Sequence, residues 1–272
     1  MDVFTREALF GNPVAVVHDC EELTTADMLA FTAWTNLSEA TFLLPPTDPQ
    51  ADYAVRIFCP GRELPFAGHP TLGTCHAWLE AGGVPRGAQV VQECGAGLVR
   101  IARDDESGRL AFAAPPLRRS GPLDDDSVAR LTAGLGLAPA DVRAHSWCDN
   151  GPGWQALLLR DAETVLSVTP DPVLLAGLDV GIVGLYPSGS TADVEVRAFF
   201  PGNGGLAEDP VTGSLNAGLA QWLTGSGLLP AVYVASQGTV LGRRGRVHVS
   251  SEADTIWIGG GCVTVVSGTV AI

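Results

Sequence analysis

Two stretches of the chain repeat one arrangement of chemically useful residues. The first is Gly-His-Pro-Thr-Leu-Gly-Thr at 68–74, and the second is Asp-Pro-Val-Thr-Gly-Ser at 209–214. His69-Pro70 matches Asp209-Pro210, and Gly73-Thr74 matches Gly213-Ser214. Each stretch opens a helical pattern, and a helix N-terminus offers unpaired N–H groups and about half a positive charge, which suits a carboxylate. Gly73 and Gly213 let a ligand approach the backbone closely, while Thr74 and Ser214 add hydroxyls. One copy alone reads as an ordinary helix cap. Duplication, with a histidine in one copy and an aspartate in the other, points instead to a pocket between two similar halves. A third group is Glu39, in the polar turn Asn-Leu-Ser-Glu before an apolar run. Such a glutamate is ordinarily solvated. At a pocket edge, desolvation raises its pKa and equips it to take a proton from carbon and return it elsewhere.

The elements that must position these groups follow from periodicity and punctuation. Strands are predicted over 2–4, 13–18, 53–58, 88–102, 109–113, 180–186 and 194–200, and again near 231–236, 239–241, 246–250, 255–258 and 262–271. Thr24 or Thr25 caps a helix that carries Met28, Leu29 and Trp34 on one side and stops near Asn36. The next helix has His69 at its cap and Pro70 at its first position, where a missing N–H costs nothing. Leu72, Cys75, His76 and Leu79 fall at core spacing, and Gly82-Gly83 ends it. Asp124 to Ser127 opens a third helix, with Val128, Leu131 and Leu135 at helical spacing. Asp209-Pro210 opens a fourth, with Leu215, Leu219, Trp222 and Leu223 on one face, closing at Gly225. A strand-rich half with one long helix, occurring twice, predicts an α+β pseudo-repeat. The domains are 1–116 and 117–261, with the last strand (262–272) able to return to the first half and a linker at 115–122. Arg56 and Arg197 occupy equivalent strands and read as structural ion pairs.

Composition excludes several kinds of chemistry. There is no lysine, and all 16 basic residues are arginine. A lysine Schiff base, a pyridoxal-phosphate aldimine and a standard phosphate-binding P-loop are therefore ruled out. A formal charge of −14 argues against nucleic acid or an anionic membrane as partner. The six cysteines form no C-x-x-C pair, and the histidines show no metal-ligand spacing, so no metal site is expected. No leader pattern is read at the N-terminus, and no apolar run approaches the ~20 residues of a spanning helix. The expectation is a soluble cytoplasmic protein.

The motifs together resemble the phenazine-biosynthesis PhzF-like family. The likeness rests on Met-Asp-Val-Phe-Thr at 1–5, Phe-Gly-Asn-Pro-Val-Ala-Val-Val at 10–17, Asn-Leu-Ser-Glu-Ala-Thr-Phe at 36–42, Arg-Ile-Phe at 56–58, Glu-Leu-Pro-Phe-Ala-Gly-His-Pro-Thr-Leu-Gly-Thr at 63–74 and Glu-Asp-Pro-Val-Thr-Gly-Ser at 208–214. The resemblance implies a diaminopimelate-epimerase-like fold: two α+β domains, each a mostly antiparallel sheet around a central helix, with the active site between them. It makes Glu39 the acid/base, His69 and Asp209 its assistants, and Ser214 with nearby amides a holder of a small carboxylate substrate. It also implies a cofactor-independent isomerase and a homodimer. Cys59, and Leu215-Asn216 after Thr-Gly-Ser, depart from the family pattern close to the expected pocket. Two rival functions share the scaffold. One is a carboxylate-based amino-acid racemase or epimerase; its two-thiol form lacks a symmetric cysteine pair. The other is a non-catalytic small-molecule binder.

Overall fold

The computed structural model describes residues 1–202, 204–253 and 255–272. It divides into two compact units, Met1–Ala113 with Gly259–Ile272, and Ala114–Ile258.

In the first unit the strands lie in the order Ala15–Val17, Ala40–Leu44, Tyr53–Cys59, Val90–Cys94, Gly97–Arg103 and Leu110–Ala113. Arg62–Leu64 folds back on Tyr53–Cys59 as a short hairpin. Two neighbouring pairs are parallel, Ala15–Val17 with Ala40–Leu44 and Tyr53–Cys59 with Val90–Cys94. Parallel neighbours need a crossover, and each pair here has a helix in its connection. Helix α1 (Thr25–Thr35) joins the first pair and α2 (Gly68–Glu80) the second. A separate small sheet pairs Asp2–Val3 with Asn12–Pro13 and with Cys262–Val263, so the C-terminal segment closes onto the start of the chain.

Helix α1 begins on a reciprocal cap. Thr24 Oγ1 accepts from the Asp27 N–H, and the Asp27 carboxylate accepts from the Thr24 N–H. It ends at Asn36, which turns left-handed at φ 56°. Met28 and Thr32 are buried one turn apart. Trp34, expected on the Met28 side, is 74% exposed; six residues carry it about 240° around the helix, away from that face. Helix α2 shows no apolar stripe because it is enclosed: every residue from 68 to 75 is buried. It packs on strands Ala40–Leu44 and Leu110–Ala113 and on the small sheet. The approach is close enough that a Cβ at Gly73 would lie 2.6 Å from Val14 Cγ1.

The second unit reruns this order. Its strands lie as Arg119–Gly121, Val142–Asp149, Gln155–Leu159, Val180–Leu185, Val194–Gly202, Val232–Gln237 and Gly245–Glu252, followed by Thr255–Gly260, along which the unit boundary falls. Gln155–Leu159 is parallel to Val180–Leu185, and Val194–Gly202 is parallel to Val232–Gln237. After α3 (Asp125–Gly134), these two pairs are joined through α4 (Ala162–Ser167) and α5 (Gly213–Gly225). Leu131, Leu135, Leu157, Ile182 and Phe199 belong to one buried cluster. Leu215, Leu219 and Leu223 of α5 are buried, as its spacing predicts.

Several local expectations are corrected. Residues 239–241 form a 3-10 turn, since Gly238 and Gly242 on either side hold φ at 88° and 71°. Only Cys262–Val263 of the final predicted strand is paired. The 115–122 linker contains a strand, Arg119–Gly121, that pairs with Val142–Asp149. Among the described residues no helix is long and apolar enough to cross a membrane.

Candidate active site

In the first unit, the turn ending at Glu39 leads into Ala40–Leu44, whose neighbour Ala15–Val17 follows Asn12–Pro13. The Ala15 N–H donates to the Glu39 carbonyl at 3.5 Å. This pairing sets Glu39 beside the start of α2. That helix begins two residues earlier than predicted, with Ala67 as its cap, so His69 is the second helical residue and not the cap. Pro70 then falls third, still among the first four positions whose N–H has no intrahelical acceptor.

His69 Nε2 lies 3.3 Å from Glu39 Oε2, and the two side chains are 7% and 18% exposed. Asn12 Nδ2 is 3.4 Å from His69 Nδ1. Burial pushes the His69 ring down to about 3, opposed by a hydrogen bond to the Pro13 carbonyl. At neutral pH the ring is therefore uncharged and carries one proton. The carboxylate and the imidazole form a contact through which a proton can be held or passed.

The depressed value has a consequence for stability. The unfolded chain takes a proton on this ring below its ordinary value of 6.5, whereas the folded protein refuses it until about 3. The unfolded state binds more protons in that window, so stability falls as pH falls through it and is untouched above it. Between about pH 7.5 and about pH 5.5 the wild type is expected to lose about 1 kcal/mol more than His69→Asn, read from urea midpoints. Parallel pH dependence in the two proteins would contradict a neutral buried ring.

In the second unit, Asp209 ends strand Gly205–Asp209, paired opposite Ala198. Helix α5 starts at Gly213 with Thr212 as its cap, three residues later than the sequence suggests. Asp209 thus precedes the helix and does not cap it. Thr212 Oγ1 donates to Asp209 Oδ2 at 2.6 Å. Ser214, half-buried, accepts from Trp154 Nε1 at 3.0 Å, and its carbonyl accepts from Asn150 Nδ2 at 2.8 Å. Gly213 is buried at the first helical position.

Residues set aside by the sequence also find their places. Arg56 and Arg197 are ion-paired to Glu63 and Glu208 at 2.6 and 2.8 Å. His76 lies 3.3 Å from Glu80, one turn on. Burial raises the thiols of Cys75 and Cys148 to about 12, which leaves almost no thiolate at neutral pH. Sequence reasoning missed Asn12, Asn150 and Trp154. The signal was present in the repeat, because Gly-Asn-Pro at 11–13 and Asn-Gly-Pro at 150–152 are matching turns. In both units the asparagine of that turn reaches the start of the long helix, Asn12 at His69 and Asn150 at Ser214.

Comparison with known proteins identifies the family. The model of the phenazine biosynthesis-like protein family matches residues 1–268. Antisense-enhancing sequence 1 of Schizosaccharomyces pombe is 33% identical, over 98% of this chain and 96% of its own. The trans-2,3-dihydro-3-hydroxyanthranilate isomerase of Pseudomonas aeruginosa is 32% identical, over 93% of this chain and 89% of its own. A crystal structure of a PhzF-family phenazine biosynthesis protein from Enterococcus faecalis aligns with a TM-score of 0.76 at 28% identity, covering 95% of this chain and 92% of that one. The expected diaminopimelate-epimerase-like α+β fold is the fold observed. The chain belongs to the phenazine biosynthesis-like, or PhzF, family and is an isomerase.

Proposed function

We propose that the protein shifts a proton between carbons of a small carboxylate substrate, without an organic cofactor, using Glu39 as acid and base. The observation that carries this reading is the contact of Glu39 with a neutral, buried His69. Glu39 would take a proton from a carbon acidified by a neighbouring unsaturated or carboxyl group. The C–H electron pair moves into the adjoining π system, and the protonated Glu39, after exchanging its proton with solvent, protonates a different carbon. Atoms and electrons balance with no oxidant or reductant.

In the same reading His69 orients the Glu39 carboxyl and exchanges the hydrogen bond as the carboxyl changes state. Asp209 serves the substrate as a polar partner, and Ser214 with the amides near Gly213 holds its carboxylate. Gly73, sixth in α2 and packed against Val14, corrects the sequence expectation, because it offers neither an open face nor an unused N–H. The name of the Pseudomonas aeruginosa relative supplies the first substrate to try. Incubated with trans-2,3-dihydro-3-hydroxyanthranilate in D2O, the protein is expected to consume it and leave one deuterium at the newly protonated carbon. A parallel incubation with L-amino acids reads the racemase alternative. Exchange at Cα there, with no reaction of the cyclic substrate, would replace the proton-shift reading with racemisation.

A further inference from the structure

Asp209 is set by a chain of buried amides and a hydroxyl behind it. Gln237, at the end of strand Val232–Gln237, is fully buried, and Thr212 and Asn216 are 6% and 1% exposed. Gln237 Oε1 accepts from the Thr212 backbone N–H at 3.0 Å, and Gln237 Nε2 donates to the Asp209 backbone carbonyl at 3.2 Å. A backbone N–H only donates and a carbonyl only accepts, so these two contacts fix which end of the amide is which. Asn216 Nδ2 donates to the same Gln237 oxygen at 2.9 Å and to the Thr212 carbonyl at 2.9 Å, bracing that orientation.

With the amide fixed, Gln237 Nε2 donates to Thr212 Oγ1 at 2.9 Å. The hydroxyl oxygen is then an acceptor on that side, and its single proton is directed to Asp209 Oδ2 at 2.6 Å. A hydroxyl whose rotation is fixed in this way gives the carboxyl group a donor and no acceptor. Such a donor binds a carboxylate more strongly than the carbonyl oxygen of a protonated acid, so the contact favours the ionised form of Asp209.

We propose that Gln237 and Thr212 form a one-way hydrogen-bond relay that keeps Asp209 ionised and proton-accepting, which makes both of them positioning residues for the reaction. The inference rests on the reading above only in taking Asp209 to act on the substrate. Asn216 is the brace of the relay.

The test is a titration of the substrate-free protein labelled with carbon-13 at aspartate γ-carbons, with the Asp209 signal assigned by its loss in Asp209→Asn. Thr212→Val keeps the side-chain shape and removes the directed proton. Its Asp209 midpoint is expected to rise by about one pH unit, the scale of one hydrogen bond to a charged group. Thr212→Ala is expected to show the same rise, and Thr212→Ser to return the wild-type midpoint. An unchanged midpoint in whichever of the Val and Ala variants is folded overturns the relay, as does a Ser variant that behaves like Val. The titration needs no turnover. Failure of the D2O incubation would therefore remove the proposed reaction while leaving this result readable, and the converse holds as well.

Discussion

Glutamine at position 39 is expected to abolish deuterium exchange into the substrate while leaving the fold and ligand binding in place. The two side chains have nearly the same shape, and the amide can still meet His69 Nε2 at the 3.3 Å contact, because a neutral ring can donate or accept. What disappears is the one function an amide lacks, taking up a proton and giving it back. General acid–base groups contribute about 10²–10⁴-fold, and one carboxyl performing both steps puts Glu39→Gln at about 10³-fold or beyond. The rate is read by NMR in D2O, binding by titration calorimetry with the same substrate, and folding by the urea midpoint. Exchange at the wild-type rate in a folded, substrate-binding variant would remove Glu39 from the chemistry. Loss of binding together with exchange would assign it to holding the substrate instead.

The parts of this molecule that were legible in the sequence are those with a local cause. The Thr24–Asp27 cap, the glycines after α2, and the buried leucines of α5 each follow from residues within a turn or two of one another. The duplicated motif announced the two units because identical packing problems had been solved twice. The misplaced boundaries have non-local causes. Residues 205–209 show little alternation of apolar and polar side chains, yet they form a strand because Val194–Gly202 offers its edge. That pairing consumes Asp209 and delays α5 to Gly213. The proline rule likewise placed α2 two residues late, since proline is tolerated at any of the first positions where no N–H is required. The site divides along the same line. Glu39 and His69 were identifiable as reactive types, but their contact depends on the parallel pairing of Ala15–Val17 with Ala40–Leu44, 25 residues apart in register. Gln237 carried no signal of its own, because a glutamine at a strand end is unremarkable until the helix cap it supports is in place.

The equivalent arginines of the two units are expected to differ sharply in what they contribute, although the sequence presents them as copies. In the first unit, Arg56 meets Glu63 with side chains 29% and 41% exposed, and its guanidinium also reaches Thr25 Oγ1. In the second, Arg197 meets Glu208 with side chains 3% and 12% exposed. Arg197 Nη1 donates besides to the carbonyls of Val165 and Val168, at the end of α4, at 3.1 and 2.6 Å. These carbonyls lie at the helix C-terminus, where intrahelical donors run out; the Val165 carbonyl also accepts from the Val168 N–H, at a long 3.4 Å. Removing the guanidinium there leaves a mostly buried carboxylate and takes a donor from each of the two carbonyls, so Arg197→Met is expected to cost about 3–5 kcal/mol. Arg56→Met removes a pair that water already shares, and about 0–1 kcal/mol is expected. Urea unfolding of the two variants side by side checks both figures. Replacing Glu208 with leucine in the Arg197→Met background should recover part of the loss, since the uncompensated charge is then gone, while the two carbonyls still lack the guanidinium donor. Equal, small losses at both positions would mean that Glu208 finds water once its partner is removed, and that the second pair is no more enclosed than the first.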